Sequence, residues 1–441
     1  MDGRWSDGRP VTAYDFEYTY RRLLNPETGN PYAFFYYDIK GARKYNTGED
    51  NGEGLGVRAV DAQTLEIETD TPRAYFPYIT AFHGSSPAPK WAIDKHGARW
   101  TDPGNCVSNG SYKLTDWIPG ARMTLSLDPQ YNGPNKGFVE QIQWIFSPTT
   151  GTVGILPYEN DEVDRVAPVD VVDMVRVQGD PALRDQLVQV ADGTTWYIFF
   201  QTRTSPFDDI RVRRAVAHAI DRESIARVVL RGAGVPAYTM LPPAFPGYLG
   251  EKYKALQAFD PADARRLLAE AGYPGGRGFP VMPLWLRAPT PAIRQGMLKD
   301  NLGITVEIIQ QDMPSYMSRM YDWDILAGLI RFGPDFPDPH SNLGMVWRSR
   351  SQGIARHDWR NIRFDELVDR AAESMDASER YALYDEAQRI LSEDVGAAFL
   401  YHEIVSELRK PWVKGVPRTK YDTYAFPYLT EIYVGKEILK K

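Results

Sequence analysis

Phe16, Tyr20, Leu23 and Leu24 stand at i, i+4, i+7 and i+8, the spacing that lines apolar side chains along one stripe of a helix. Thr12 is a helix-start residue, Asp15 three positions on makes a short variant of the capping box, and Asn25-Pro26 stops the segment. The period then changes. Leu65 and Ile67 alternate with polar neighbours, as do Met123, Leu125 and Leu127, then Ile142, Trp144 and Phe146: the two-residue repeat of half-buried strands. Trp196 to Phe200 is apolar throughout and predicts a strand buried on both faces. Helices are predicted again after Asp208-Asp209, with Val212, Ala215, Val216, Ala219 and Ile220 as the stripe, and from Asp260-Pro261 to Gly272. A long helix capped by Asp376 and Glu379 carries Leu383, Ala387, Ile390 and Leu391. Ile304, Val306 and Ile308 alternate as a strand. Helix and strand signals interleave along the whole chain, which predicts an α/β class.

The apolar run Ile325 to Ile330 leads into Gly333-Pro334-Asp335-Phe336-Pro337-Asp338-Pro339. Three prolines in seven residues make a stiff, non-helical turn after a strand, a suitable place to hold a functional carboxylate.

Composition narrows the function more than the fold. At 441 residues the chain has room for several cores, and 43% hydrophobic with 25% charged residues is ordinary for a globular protein. A net charge of -7 argues against a nucleic-acid partner, which needs a basic face. One cysteine, Cys106, excludes an internal disulfide. No stretch of about 18 apolar residues is present, so no transmembrane helix is predicted. Met1 to Trp5 lacks the apolar stretch of a signal peptide; read literally, the polypeptide stays in the cytosol, and the alternative is a start inside a longer gene. None of the six histidines forms a His-Glu-x-x-His pattern, and neither a Gly-x-Ser-x-Gly elbow nor a phosphate loop occurs. Gly52, Gly54 and Gly56 lack the spacing of a dinucleotide site. No catalytic residue, metal site or cofactor is therefore expected. Aromatic residues make up 12%, with 26 tyrosines and 11 tryptophans, which suits pockets for varied side chains or sugar rings as well as core packing.

Several blocks carry a resemblance. Trp5 to Phe16 (WSDGRPVTAYDF), Arg21 to Ala33 (RRLLNPETGNPYA), Val107 to Leu114 (VSNGSYKL), Pro206 to Ala215 (PFDDIRVRRA), Leu267 to Pro280 (LLAEAGYPGGRGFP), Asn301 to Ile304 and Asp335 to Pro339 (DFPDP) run in one order along the chain. Together they resemble the bacterial oligopeptide- and dipeptide-binding proteins of ABC importers. The resemblance implies a two-lobed periplasmic-binding-protein-like fold with an additional small domain and an interlobe ligand cleft. Residues 1–115 are expected to form the small domain, 116–215 with 407–441 one lobe and 216–406 the other, the chain crossing near 216 and 406. The family's signal peptide and opening strands are missing before the WSDG block, so an incomplete sheet or exposed strand edge is expected near the start. The segment 284–301 is shorter than in the family, and 324–335 slightly longer, which unsettles the register before Asp335.

A peptide is a zwitterion, and a receptor that encloses it must pair its charged ends or leave their desolvation uncompensated. The resemblance implies Asp335 as partner of the peptide α-ammonium, and Asp338 as a residue that bonds its own turn. Phe332 and Gly333 are candidates for peptide main-chain and aromatic contact. Tyr36 and Tyr37 match a tyrosine-bearing family segment, Tyr197 lies in the strand that enters the hinge, and Tyr238 is a further candidate; a packing role is open for each. The implied partners are a short peptide and the transmembrane permease of an ABC importer, with no nucleic acid. Membrane association is expected only through the permease or a missing N-terminal anchor, and the full-length protein is expected to be an extracytoplasmic monomer. Alternatives are the same fold holding an oligosaccharide, metal chelate or opine, a peptidase-like enzyme using the cleft, and a decayed gene product without ligand.

Overall fold

Two long strands, Leu187–Phe200 and Ala397–Arg409, pair antiparallel along nearly their whole length and form the backbone of the molecule. They lie inside a sheet whose order is Val306–Gln310, Met282–Leu286, Ala327–Phe332, Leu187–Phe200, Ala397–Arg409 and Arg165–Val166, with Gly234–Pro236 added on Ala397–Arg409. The computed structural model describes residues 3–146, 154–243, 245–287, 295–349, 357–416 and 426–435.

The alternation of side chains along a strand sorts this sheet into two cores. Ile198, Phe200, Ala327, Leu329 and Leu400 face helices Ile210–His218, Pro261–Glu270 and Gln295–Leu302. Tyr197, Phe199, Ile330, Phe332 and Phe399 face helices Met313–Tyr321, Ile362–Glu373 and Ala377–Glu393. With helices on both faces, the apolar run from Trp196 is buried on both sides, as its composition predicts. The opposite ends of the two long strands enter a third, smaller core: Leu408 packs with Val166, Met174, Val177 and Leu183.

Between the two ends the ladder is irregular. The register shifts between His402 and Ile404, and on the facing strand Gly193 takes a left-handed φ of 77°. This break lies away from the position near 216 expected for the crossing. Helix Ile210–His218 runs through that position, and its Val212, Ala215 and Val216 share one core with Ile198, Phe200 and Leu400. Packing therefore places residues 196–215 with the lobe that follows, and the chain passes between cores at 191–195 and 402–404.

The N-terminal residues make a separate body. Helix Ala13–Leu24 starts where predicted: the Asp15 carboxylate accepts the Thr12 N–H at 2.8 Å, and the helix stops before Asn25-Pro26. Its Tyr20, Leu23 and Leu24 pack with Phe35, Tyr36, Ile39, Val57, Ile79 and Phe82. Strands Tyr112–Ile118, Arg122–Leu127 and Gln141–Ile145 follow as an antiparallel meander. Among the described residues each outer strand of this meander pairs on one edge only, and Trp117, Ile118, Ile145 and Phe146 are exposed.

Candidate ligand-binding site

The turn that carries Asp335 begins where strand Ala327–Phe332 leaves the sheet. Phe332 pairs with Thr195 across the ladder and is buried in the second core; Gly333 and Asp335 are half-buried, and Pro334 between them is buried. The turn is bonded internally. The Asp335 N–H donates to Ser341 Oγ at 2.9 Å, and the Asp338 N–H to the Phe336 carbonyl at 2.8 Å. Asp338 caps the short helix Pro339–Asn342, accepting the His340 N–H at 2.9 Å. Its carboxylate takes both contacts of a forked pair with Arg380, at 2.8 and 2.9 Å, and both side chains are buried. Burial works against the Arg380 charge, but Asp338 together with Tyr384 more than offsets it and the guanidinium pKa is raised. Asp338 is thus a structural anchor that leaves Asp335 as the carboxylate of the turn's outer half.

The next side chains reach into the N-terminal body. Phe336 is 4% exposed and belongs to the core of Tyr20, Phe35 and Tyr36. Its ring stacks on Tyr75 at 5.5 Å and on Tyr78 at 6.3 Å. His340 lies flat on Tyr75, with ring centroids 4.3 Å apart, and its Nδ1 sits 3.2 Å from the Tyr384 hydroxyl. Burial, and then the nearby Arg73, Arg380 and Arg348, push the His340 pKa down to about 3, so the imidazole is neutral. The Tyr75 hydroxyl donates to Asp38 at 2.6 Å. Burial first, and the Asp38 charge next, hold its pKa well above the usual phenol value.

The other expected residues are distributed unevenly. Tyr36 is fully buried beside Tyr20, its hydroxyl 3.2 Å from Ser85 Oγ, in the same core as Phe336. Tyr37 is half-buried, donates to Asn46 Oδ1 at 2.6 Å and has Arg43 over its ring. Tyr197 is fully buried with its hydroxyl 3.1 Å from His357 Nε2 and its ring against Trp347. Tyr238 is buried between Arg222 and Lys254, which lie 5.5 and 5.0 Å from its ring. Phe332, Gly333 and Asp335 are therefore contiguous, and Tyr36 shares a core with the turn. Tyr197 and Tyr36 offer packing rather than an open surface.

One constellation escaped the sequence reading. Arg331, Trp196 and Tyr401 are neighbours across three strands. Trp196 Nε1 and Arg331 Nη1 both donate to Glu403 Oε2, at 2.9 and 3.1 Å, and Trp196 stacks on Tyr401 at 5.6 Å. It combines an exposed cation, a carboxylate and an aromatic platform beside the ladder break, one residue before Phe332. Cross-strand register creates it, and no local spacing encodes that register. Two shallow cavities of about 290 and 250 Å³ flank Arg214; neither is lined by an expected site residue. Among the described residues, no helix is long and apolar enough to cross a membrane.

Comparison with known proteins agrees with this architecture. The chain is 29% identical over 454 aligned residues to the periplasmic oligopeptide-binding protein OppA of Escherichia coli, covering 99% of this chain and 81% of the relative. It is 28% identical over 441 residues to a probable deoxycholate-binding periplasmic protein, YgiS, of the same organism, covering 98% of this chain and 81% of the relative. The solved structure of the Escherichia coli murein tripeptide binding protein MppA superposes with a TM-score of 0.82 at 26% identity, covering 98% of this chain and 85% of that one. Residues 2–353 match the profile described as "Bacterial extracellular solute-binding proteins, family 5 Middle". The chain, two-lobed and built on one shared pair of long strands, belongs to the family 5 bacterial extracellular solute-binding proteins.

Proposed function

We propose that this protein is the extracytoplasmic receptor of a peptide importer: a monomer that encloses a short peptide between its lobes and passes it to a transmembrane ABC permease, without chemical change to the peptide. Asp335 is the partner of the peptide α-ammonium. The observation that carries this reading is the half-buried Asp335 at the end of a buried sheet strand, on a turn held by Ser341 and by the Asp338–Arg380 pair. A carboxylate on a pre-set turn costs less backbone entropy to order on binding, which favours capture of a cation withdrawn from water. Likeness over nearly the whole chain to oligopeptide- and tripeptide-binding proteins supports the same ligand class.

Calorimetry with tri- to pentapeptides of alanine tests it. Asp335→Asn is expected to weaken binding by about 3–5 kcal/mol, the scale seen when one partner of a buried pair is removed. N-acetylation of the peptide should cost a similar amount, and the two losses should not add, because both delete one interaction. Full affinity for acetylated peptide would assign Asp335 to the turn alone. The relative named as a probable deoxycholate-binding protein supports a second reading, an apolar anionic solute with no ammonium group. Native mass spectrometry of the purified protein separates the two by the mass of whatever co-purifies.

A further inference from the structure

The side chain directly after Asp335 belongs to a different body of the molecule. Phe336 leaves its own lobe and enters the core of the N-terminal domain, edge-on to Phe35 at 5.6 Å and stacked on Tyr75 at 5.5 Å. At the far end of the turn His340 stacks on the same Tyr75 at 4.3 Å and 9°. One tyrosine ring therefore touches both ends of the stretch that follows Asp335, Phe336 to His340. That ring is fixed from its own side: its hydroxyl donates to Asp38, and Asp38 also accepts from Arg73 Nε at 2.8 Å. Arg73 reaches on to Glu373 at 3.1 Å, and the Ala74 N–H donates to the Ala372 carbonyl at 3.1 Å, so the contact is registered by polar bonds as well as rings.

We propose that Tyr75 is a positioning residue for ligand capture: through its ring the small domain holds the Asp335 turn in shape, and the ammonium site is complete only while the small domain is docked. This rests on the reading of Asp335 as the ammonium partner. A contact that merely joins two domains would affect all ligands alike. A contact that shapes the Asp335 turn affects the ligand's amino end selectively.

The experiment uses the whole chain with tri-alanine and N-acetyl-tri-alanine, and hydrogen exchange of the Asp335 amide without peptide. In Tyr75→Leu, affinity for tri-alanine should fall about tenfold more than affinity for the acetylated peptide, the size of one or two aromatic pair energies. The Asp335 amide, bonded to Ser341, should exchange faster. Tyr75→Phe keeps both ring stacks and loses only the Asp38 hydrogen bond, so it should recover most of both readouts. If Tyr75→Leu does not fold, Phe336→Leu removes one of the two stacks and carries the same comparison. Equal losses for the two peptides with unchanged amide exchange overturn the proposal. A parent protein that binds both peptides equally overturns the ammonium reading instead, and the exchange measurement then decides the positioning role alone.

Discussion

Arg222 is fully buried, and its hydrogen bonds run to carbonyl oxygens. Nε donates to Phe399 at 2.6 Å, Nη1 to Ala217, Ile220 and Gln257 at 3.0, 3.2 and 2.6 Å, and Nη2 to Gln257 Oε1 at 3.2 Å. Ala217 lies in the last turn of helix Ile210–His218 and Ile220 just beyond it, where the helix dipole favours a cation. Burial draws the guanidinium pKa down to about 10, still high enough to keep it charged at neutral pH. Arg222→Met should therefore cost about 3–5 kcal/mol in denaturant unfolding, because several buried acceptors lose their donor at once. Arg222→Lys should recover only part of this, since an ammonium cannot reproduce the planar fork. None of this was visible in the sequence. The Phe399 partner is 177 positions away. Asp15, Asp260 and Asp376 were legible because their caps close within three residues.

Among the elements, strands and helices were placed well by periodicity, as with Met123 to Leu127 and the helix opened by Asp260-Pro261. The joint between the lobes was not. The family resemblance implies a crossing near 216, whereas the ladder is irregular at Gly193 and His402–Ile404. An unbroken apolar run gives no sign of where one core ends and the next begins, because both cores accept the same residues. Asp335, by contrast, is singled out in the sequence by a family block on a proline-rich turn whose stiffness is local, while the aromatic contacts of Phe336 with Tyr75 join residues from distant parts of the chain. Gly193 carries a prediction at this scale. Its left-handed φ disfavours a side chain, so Gly193→Ala should lower stability by about 1–2 kcal/mol, read as a shift in the thermal midpoint.

For the whole molecule, two buried histidines set a pH dependence. His340 and His402 are both held neutral by burial, each with a pKa lowered to about 3. An unfolded histidine titrates near 6.5, so between that value and about 3 the unfolded chain binds more protons than the folded one. Stability from this source is fully present above pH 6.5 and is lost as pH falls. At pH 5 the loss amounts to about 2 kcal/mol per histidine. Denaturant unfolding at pH 7 and pH 5 should show it, and His340→Asn should flatten the slope by about half. A slope unchanged by that substitution would place the proton uptake elsewhere.

His402 has one more consequence. The Thr195 hydroxyl donates to the Met240 carbonyl at 2.8 Å, so it can only accept from His402, whose Nδ1 lies 2.9 Å away. The imidazole is thereby fixed as the Nδ1–H tautomer, with Nε2 buried and lacking a hydrogen-bond partner. This ring stands on one long strand at the ladder break, bonded across to the other. Flexing of the joint that changes the Thr195–His402 distance should perturb this hydrogen bond. With six histidines in the chain, its ¹⁵N resonances can be assigned, and their shift on adding peptide should report whether the joint flexes.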